Sequence, residues 1–402
     1  NQLYNNSYDI RDISRMSAFI KSEKYNDESK SPRFIMGRDP KFNLLYGLFT
    51  TPMEHAFTHL PQVAKGKNFL ERGQMFADLL GGWFLENDFS KFEGSQRLDV
   101  LVIEKWLFRE LLTPDEYEKY RMCWHEKMLK RGYTQKGIKF KFQACRGSGD
   151  MDTGLGNTLL NYVSMKYFLI KNGVPSDKFM VDGDDGVASI PSSNKQYVNY
   201  FADFGFDAKL LIKKDYHDVE FCSSNFIQIT PGKFYQVQNL TKLLSNIGTI
   251  LNPEFVYSAS DYYASLGYMY QTCYKGIPIY EDLGRFLRGF AGEKHYCKTE
   301  YANGAYGISE AFKHSRGTNF PVDAHLAYVE IMMVCNLSAV EVEHLYKQLS
   351  AKVEIPVDYT RELRTKTTKT IDASQMVDPF QLVGNALSKI KTNKQNSWVM
   401  NV

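Results

Sequence analysis

The run Met180-Val181-Asp182-Gly183-Asp184-Asp185-Gly186-Val187-Ala188 sets three carboxylates in a turn between two short apolar stretches. An acid-Gly-Asp-Asp turn between strand-like segments predicts a β-hairpin whose tip presents Asp184 and Asp185. Adjacent carboxylates repel each other unless a cation sits beside them. Hard divalent ions such as Mg²⁺ or Mn²⁺ prefer such oxygen ligands. A Gly-Asp-Asp triplet arises by chance, as a solvated acidic turn, in roughly one chain in ten of this length, so residues upstream have to decide its meaning.

Two upstream stretches carry chemistry that suits those acids. In Gly81 to Glu93 an apolar strand is expected to end at Asp88, where an acid is costly unless paired or metal-bound; Glu93 follows after a turn. Capping of a helix over 95–110 is a competing role for acids here, but Ser90 or Ser95 fills it equally well. The stretch Arg146 to Asn157 is a glycine-rich loop running into a helix that reaches Asn172. Its small residues, Gly149 among them, let a ligand approach the backbone. Ser148, Thr153 and Asn157 offer hydroxyl and amide groups to phosphate or ribose, with Thr153 and Asn157 one helical turn apart. A plain linker would not continue into a helix with spaced polar groups on one face.

Basic residues lie on both sides of these stretches. From Lys30 to Lys41, cations alternate with apolar residues and two prolines disfavour helix, so an extended arm with Arg33, Arg38 and Lys41 projecting is expected. Guanidinium groups suit phosphate, although charges also protect a solvated strand edge. The pattern over 44–59 is helical and spaces His55 and His59 at i and i+4, without a third ligand. Residues 114–131 read as an amphipathic helix closing on Lys127, Lys130 and Arg131. Lys139 and Lys141 then alternate with Phe140 and Phe142 on a half-buried strand whose cationic face fits a nucleic-acid groove or a solvated outer face.

The whole chain has 402 residues, 43% of them hydrophobic, enough for two or three subdomains with a large core. A formal net charge of +3 is too small to announce nucleic-acid binding by itself. Six cysteines include no C-x-x-C pair, which argues against a zinc ribbon or a disulfide framework and for a reducing cytosolic setting. No apolar run nears the roughly 20 residues of a transmembrane helix, so no transmembrane segment is expected in this chain. No cleavable leader is visible, and a chain that opens on Asn is expected to be trimmed or to lack an upstream portion. Beyond the acidic hairpin, 194–204 reads as helix, 206–210 as strand and Val219 as the start of another hairpin. From Asn252 the chain turns mainly helical, with a core helix over 326–334, a capping box at Ser338 to Glu341 and a loosely attached tail from Thr365.

Four stretches, in this order, resemble the RNA-dependent RNA polymerases of positive-strand RNA viruses, most closely the tombusvirus-like group. Residues 32–43 look like the family's basic nucleotide-entry motif and Asp88-Phe89-Ser90-Lys91-Phe92-Glu93 like its first catalytic motif. Ser148 to Asn157 is similar to its SG-x3-T-x3-N motif, and Gly183-Asp184-Asp185 to its third. The match covers roughly residues 30 to 225. Glu93 stands where the family usually has Asp, and Gly37 where Pro is common.

The resemblance implies an α+β right hand: fingers over 1–80 and 105–145, palm over 81–104 and 146–235, and a mainly helical thumb with a C-terminal tail over 236–402. It implies two-metal nucleotidyl transfer from NTPs to an RNA 3′-hydroxyl. Asp88, Asp184 and Asp185 would hold two Mg²⁺ or Mn²⁺ ions. Arg33 and Arg38 would meet the triphosphate, and Glu93, Ser148, Gly149, Thr153 and Asn157 would surround the ribose. Lys209 would protonate the leaving pyrophosphate, with Lys213 and Lys214 close enough in sequence to compete. Expected partners are single-stranded RNA template, nascent RNA and other viral replication proteins, in membrane-associated replication complexes of the host cytoplasm. Two rivals are a metal-dependent nuclease, which does not need the ribose-reading group, and an RNA-binding scaffold without catalysis, which the intact acids argue against.

Overall fold

The computed structural model describes residues 9–21, 31–191, 196–247, 259–289, 308, 312–313 and 319–349. The expected C-terminal tail lies outside them. The chain divides into two compact units, one of Asn1–Lys21, Tyr25–Gly66 and Asp78–Cys222, the other of Ser22–Lys24, Lys67–Ala77 and Ser223–Val402.

In the first unit, β3 (Trp83–Phe89), β6 (Phe179–Asp182), β7 (Asp185–Ile190) and β8 (Ala208–Lys213) form an antiparallel sheet in the order β6-β7-β3-β8. Central strands buried on both faces read as continuous rather than alternating runs, which is why β3 and β7 are buried along most of their length. The helix Thr153–Lys171 belongs to the same core and buries Leu155, Leu160, Met165 and Phe168. The rings of Phe89 and Phe92 stack at 4.4 Å just beyond Asp88 and fix the turn that leads to Glu93.

A second sheet of this unit has the order β2-β1-β4-β5, built from β1 (Met16–Ile20), β2 (Phe34–Arg38), β4 (Leu129–Thr134) and β5 (Lys139–Gln143). Its β1–β4 pair is parallel and the others antiparallel. β2 gives way to the helix Pro40–Phe57, whose first position suits proline and whose N-cap, Asp39, accepts from the Lys41 N–H at 2.8 Å. The helix Pro114–Met128 opens on a reciprocal capping box between Thr113 and Glu116.

The second unit carries the hairpin of β9 (Ser224–Thr230) and β10 (Lys233–Gln238) with the helices Phe69–Ala77, Ala259–Cys273, Tyr280–Gly289, Ala324–Cys335 and Ala339–Leu349. Its core is rich in tyrosine: Tyr235, Tyr270, Tyr274 and Tyr280 are all buried. The expected capping box forms, with Ser338 N–H and hydroxyl bonding Glu341 at 2.8 and 2.7 Å.

Several boundaries differ from expectation. The helix over 44–59 begins four residues earlier, because Asp39 and Pro40 together start it. The helix over 114–131 ends at Met128, and Lys130 and Arg131 belong to β4. β5 is mostly exposed rather than half-buried, Phe142 included. The helix expected at 194–204 is a 3-10 turn over Tyr200–Phe204, with residues 192–195 outside the description. Among the described residues no single helix is long and apolar enough to cross a membrane; Ala324–Cys335 and Ala339–Leu349 reach that length only together, across a 109° bend.

Candidate active site

The acidic hairpin forms as its sequence predicts. Asp182 pairs with Asp185 across a two-residue loop, and Gly183 takes φ +64, the left-handed value favoured at the first position of such loops. β3 runs antiparallel beside β7 with Asn87 opposite Gly186, so Asp88, one residue on, falls level with Asp185. On its other side Asp88 is opposite Lys209 of β8. One row across the sheet therefore reads Asp182, Asp185, Asp88, Lys209, with Asp184 on the adjoining turn. Asp88, Asp184, Asp185 and Lys209 all reach solvent.

Although part of Asp185 reaches solvent, desolvation around its carboxyl, then the neighbouring charges of Asp184 and Asp182, push that carboxyl up to about 7, against a hydrogen bond with Cys222. A crowded set of oxygen ligands relieved by a hard cation fits Mg²⁺ or Mn²⁺. Among the described residues, however, no three His, Cys, Asp or Glu side chains converge into a ready-made metal-holding cluster. The His55 and His59 rings meet edge to face at 5.2 Å.

What holds the acidic turn was not read from the sequence. Asn161 of the Thr153–Lys171 helix donates to the Gly183 and Asp185 carbonyls at 3.2 and 2.9 Å. Thr158, one turn earlier, accepts from the Gly183 N–H at 2.9 Å. Asn87 of β3 reaches the Asp184 carbonyl at 3.3 Å and the Asn161 amide oxygen at 3.3 Å. Thr158 and Asn161 are fully buried, so the turn backbone is satisfied by side chains rather than water. A signal was present: the helix buries Thr158 and Asn161, along with Asn157 and Ser164, and polar side chains so placed are costly without such partners.

The glycine-rich loop brings the expected sugar-site residues together in part. Asn157 donates to Glu93 Oε1 at 3.2 Å, joining the two groups that the sequence left 64 residues apart. Ser148 is half-buried and its carbonyl accepts from Met36 N–H at 2.6 Å, while Gly149 takes φ +112 beside the Met36 carbonyl. The Thr153 hydroxyl lies 2.7 Å from the Asp150 carbonyl and 3.1 Å from that of Gly147, so it is already engaged in shaping its own loop.

Arg38 does not project. Its Nε donates to Asp150 Oδ1 at 2.6 Å, Nη1 to the Ser14 carbonyl at 2.5 Å and Nη2 to the Lys127 carbonyl at 2.9 Å, with the side chain fully buried. The reason is a buried carboxylate: Asp150 also takes Lys130 Nζ at 2.5 Å, and it outcompetes solvent for the guanidinium. Arg33, by contrast, is exposed. Lys127 and Lys130, expected to close an amphipathic helix, are buried too. Lys127 bonds Asp152 at 2.5 Å, and Arg146 pairs with Glu104 and Asp152. Burial alone would raise the Asp150 carboxyl, but Lys130, Arg38 and Lys127 outweigh it and hold it well below the usual carboxylate range. Of the lysines near the acids, Lys213 is held by both oxygens of Glu86 at 2.9 and 2.8 Å, and Lys214 sits 5.9 Å from the centre of the Trp83 ring.

An acidic hairpin beside an acid-bearing strand, with a hydrogen-bonded Glu93–Asn157 pair in the same unit of an α+β fold, defines a protein with a carboxylate centre. Residues 2–350 match the family model described as viral RNA dependent RNA polymerase, and the chain belongs to that family. It is 26% identical over 390 residues to the RNA-directed RNA polymerase of Groundnut rosette virus (strain MC1), covering 89% of this chain and 45% of the relative. It is 28% identical over 237 residues to that of Turnip crinkle virus, covering 53% and 30%. The chain thus spans less than half the length of these relatives. In fold it is similar to the RNA-dependent RNA polymerase of a human picorbirnavirus, with TM-score 0.59 at 16% identity over 79% of this chain and 61% of that one.

Proposed function

We propose that this chain is the polymerase portion of a viral replicase and builds RNA on an RNA template from NTPs. The observation that carries the reading is the row of Asp185, Asp88 and Lys209 beside Asp184, in a chain of this family. In the reaction the primer 3′-oxygen bonds to the α-phosphorus and the bond to the β-phosphate breaks. Asp88, Asp184 and Asp185 would hold two Mg²⁺ or Mn²⁺ ions, which when bound supply activation of the 3′-hydroxyl and neutralise phosphate charge. Arg33 meets the triphosphate from the surface. Lys209, next to Asp88 and outside the Glu86 pair that occupies Lys213, gives its proton to the departing pyrophosphate. Glu93 and Asn157 read the ribose, with Ser148, Gly149 and Thr153 shaping the loop behind them.

In this reading the acid-bearing sheet is the palm of a right hand, the sheet of β2, β1, β4 and β5 belongs to the fingers, and the helical part beyond 236 is the thumb. Template and nascent RNA are the macromolecular partners, and other replicase parts tie the polymerase to membranes in the host cytoplasm. The test is template direction. With Mg²⁺ and a short RNA primer, poly(A) should direct incorporation of UMP and poly(C) of GMP. Incorporation indifferent to template sequence, or shortening of the RNA as by a nuclease, would overturn the proposal.

A further inference from the structure

We infer that Gln96 and Arg146, positioned behind the sugar-reading pair, fix which way the Asn157 amide faces and so set the preference for ribonucleotides. The inference rests on the polymerase reading above. An arginine can only donate hydrogen bonds, and it stays charged at any working pH. Arg146 Nε donates to Gln96 at 2.9 Å, so the atom it meets must be the amide oxygen, Oε1. The other end of Gln96 is then necessarily a donor, and it meets Asn157 Oδ1 at 2.8 Å. With its oxygen taken, Asn157 turns its NH₂ to Glu93 Oε1 at 3.2 Å. The polarity of the whole relay follows from its two ends, Arg146, which can only donate, and the Glu93 carboxylate, which can only accept.

Arg146 is itself pinned. Its side chain is fully buried against Glu104 and Asp152, whose charges outweigh the cost of burial and keep it protonated. Gly156 makes room for it: a Cβ there would lie 2.3 Å from the guanidinium nitrogens. The backbone braces the same corner, with Arg146 N–H donating to the Glu93 carbonyl at 3.0 Å and Cys145 N–H to that of Gln96 at 3.1 Å. A reversed Asn157 would aim its oxygen at the Glu93 carboxylate, two acceptors with no proton between them. Glu93 in the observed polarity is steadied by a donor and keeps acceptor capacity for a 2′-hydroxyl.

The test is Gln96→Glu, which keeps an acceptor for Arg146 but sets Asn157 between two carboxylates, so that one of its two contacts fails whichever way the amide faces. Single-nucleotide incorporation of ribo- and deoxyribonucleotides on an RNA template with Mg²⁺ should show the ribo-over-deoxyribo ratio of kcat/KM falling by roughly tenfold to a hundredfold, mainly through ribonucleotide KM. Thermal unfolding should show Gln96→Glu destabilised and partly rescued by adding Glu93→Gln, which offers Asn157 Oδ1 a donor and lets its NH₂ turn to the new carboxylate. Should Gln96→Glu not fold, Gln96→Met, similar in shape and without either bond, is held to the same ratio. A ratio equal to wild type in a folded variant, equal losses on both sugars, or strictly additive destabilisation would overturn the inference. Wild-type protein that incorporates neither sugar would sink the polymerase reading instead, and the unfolding cycle would then judge the relay by itself.

Discussion

Asp185 concentrates the electrostatics of the acidic turn in one titration. Its carboxyl is pushed up to about 7, above the unfolded value, so ionising it costs the folded state more as pH rises from about 4 through 7. A divalent ion competes with that proton. Between pH 6 and pH 8 the ionised fraction rises about tenfold, and the affinity for Mg²⁺ measured by calorimetry should rise by about the same factor. In Asp185→Asn the profile should be flat over that range; a flat profile in the wild type would contradict the assignment. Glu93→Ala should lower the ribo-over-deoxyribo preference by roughly tenfold to a hundredfold while leaving Mg²⁺ affinity in place. Equal losses on both sugars would make Glu93 structural. The two arginines of the entry motif now separate. Arg33→Glu, at an exposed position, should raise the KM for NTP in a protein of normal stability. Arg38→Glu should fail to fold stably, because Asp150 would face a second buried carboxylate. Residue types and short spacings made the acidic hairpin of Asp184 and Asp185 and the strand ending near Asp88 legible in the sequence. The fate of Arg38 was not, since its partner Asp150 is 112 residues away and nothing local distinguishes a guanidinium aimed at phosphate from one aimed inward.

The helix Thr153–Lys171 does two jobs. Its second turn carries Asn157 toward Glu93 and Thr158 toward the acidic hairpin, and its third carries Asn161 to the same hairpin. One rigid element thus sets the spacing between the Glu93–Asn157 pair and the acidic hairpin, because residues on successive turns of a helix keep a fixed separation. Asn161→Ala should leave the Gly183 and Asp185 carbonyls without their donor and lower Mg²⁺ affinity roughly tenfold to a hundredfold, as loss of groups behind metal ligands commonly does. Unchanged affinity in a folded variant would show that the hairpin holds its own shape. The hairpin was readable because its turn chemistry is local, and the start of the helix because glycines and then an apolar run announce it. The clamp was not, since a buried asparagine looks the same in sequence whatever carbonyl it satisfies. The helix expected to close on Lys127, Lys130 and Arg131 stops at Met128 instead, and Lys127 and Lys130 sit in the core with Asp152 and Asp150, partners too far along the chain to be read locally.

At the scale of the molecule, four buried cations, Arg38, Lys127, Lys130 and Arg146, share three buried carboxylates, Glu104, Asp150 and Asp152. They tie β2, β4, the helix Leu98–Leu111 and the glycine-rich loop to one another within the first unit. Such a cluster adds little net stability over apolar packing, but removing one member leaves charge stranded. Asp150→Ala should therefore destabilise the protein by about 3 to 5 kcal/mol in urea unfolding, with activity lost in proportion to folding. A loss under about 1 kcal/mol would mean that solvent reaches the cluster. The central claim, that the carboxylate centre performs template-directed RNA synthesis, is tested most directly by Asp184→Asn. Asp184 is exposed, and its turn is held through backbone carbonyls, so the amide should fold and unfold like the wild type. On a primed single-stranded RNA template with Mg²⁺, wild type should extend the primer with complementary nucleotides and Asp184→Asn should lose at least about a hundredfold of that rate at unchanged thermal stability. Equal extension by the two proteins would contradict the account.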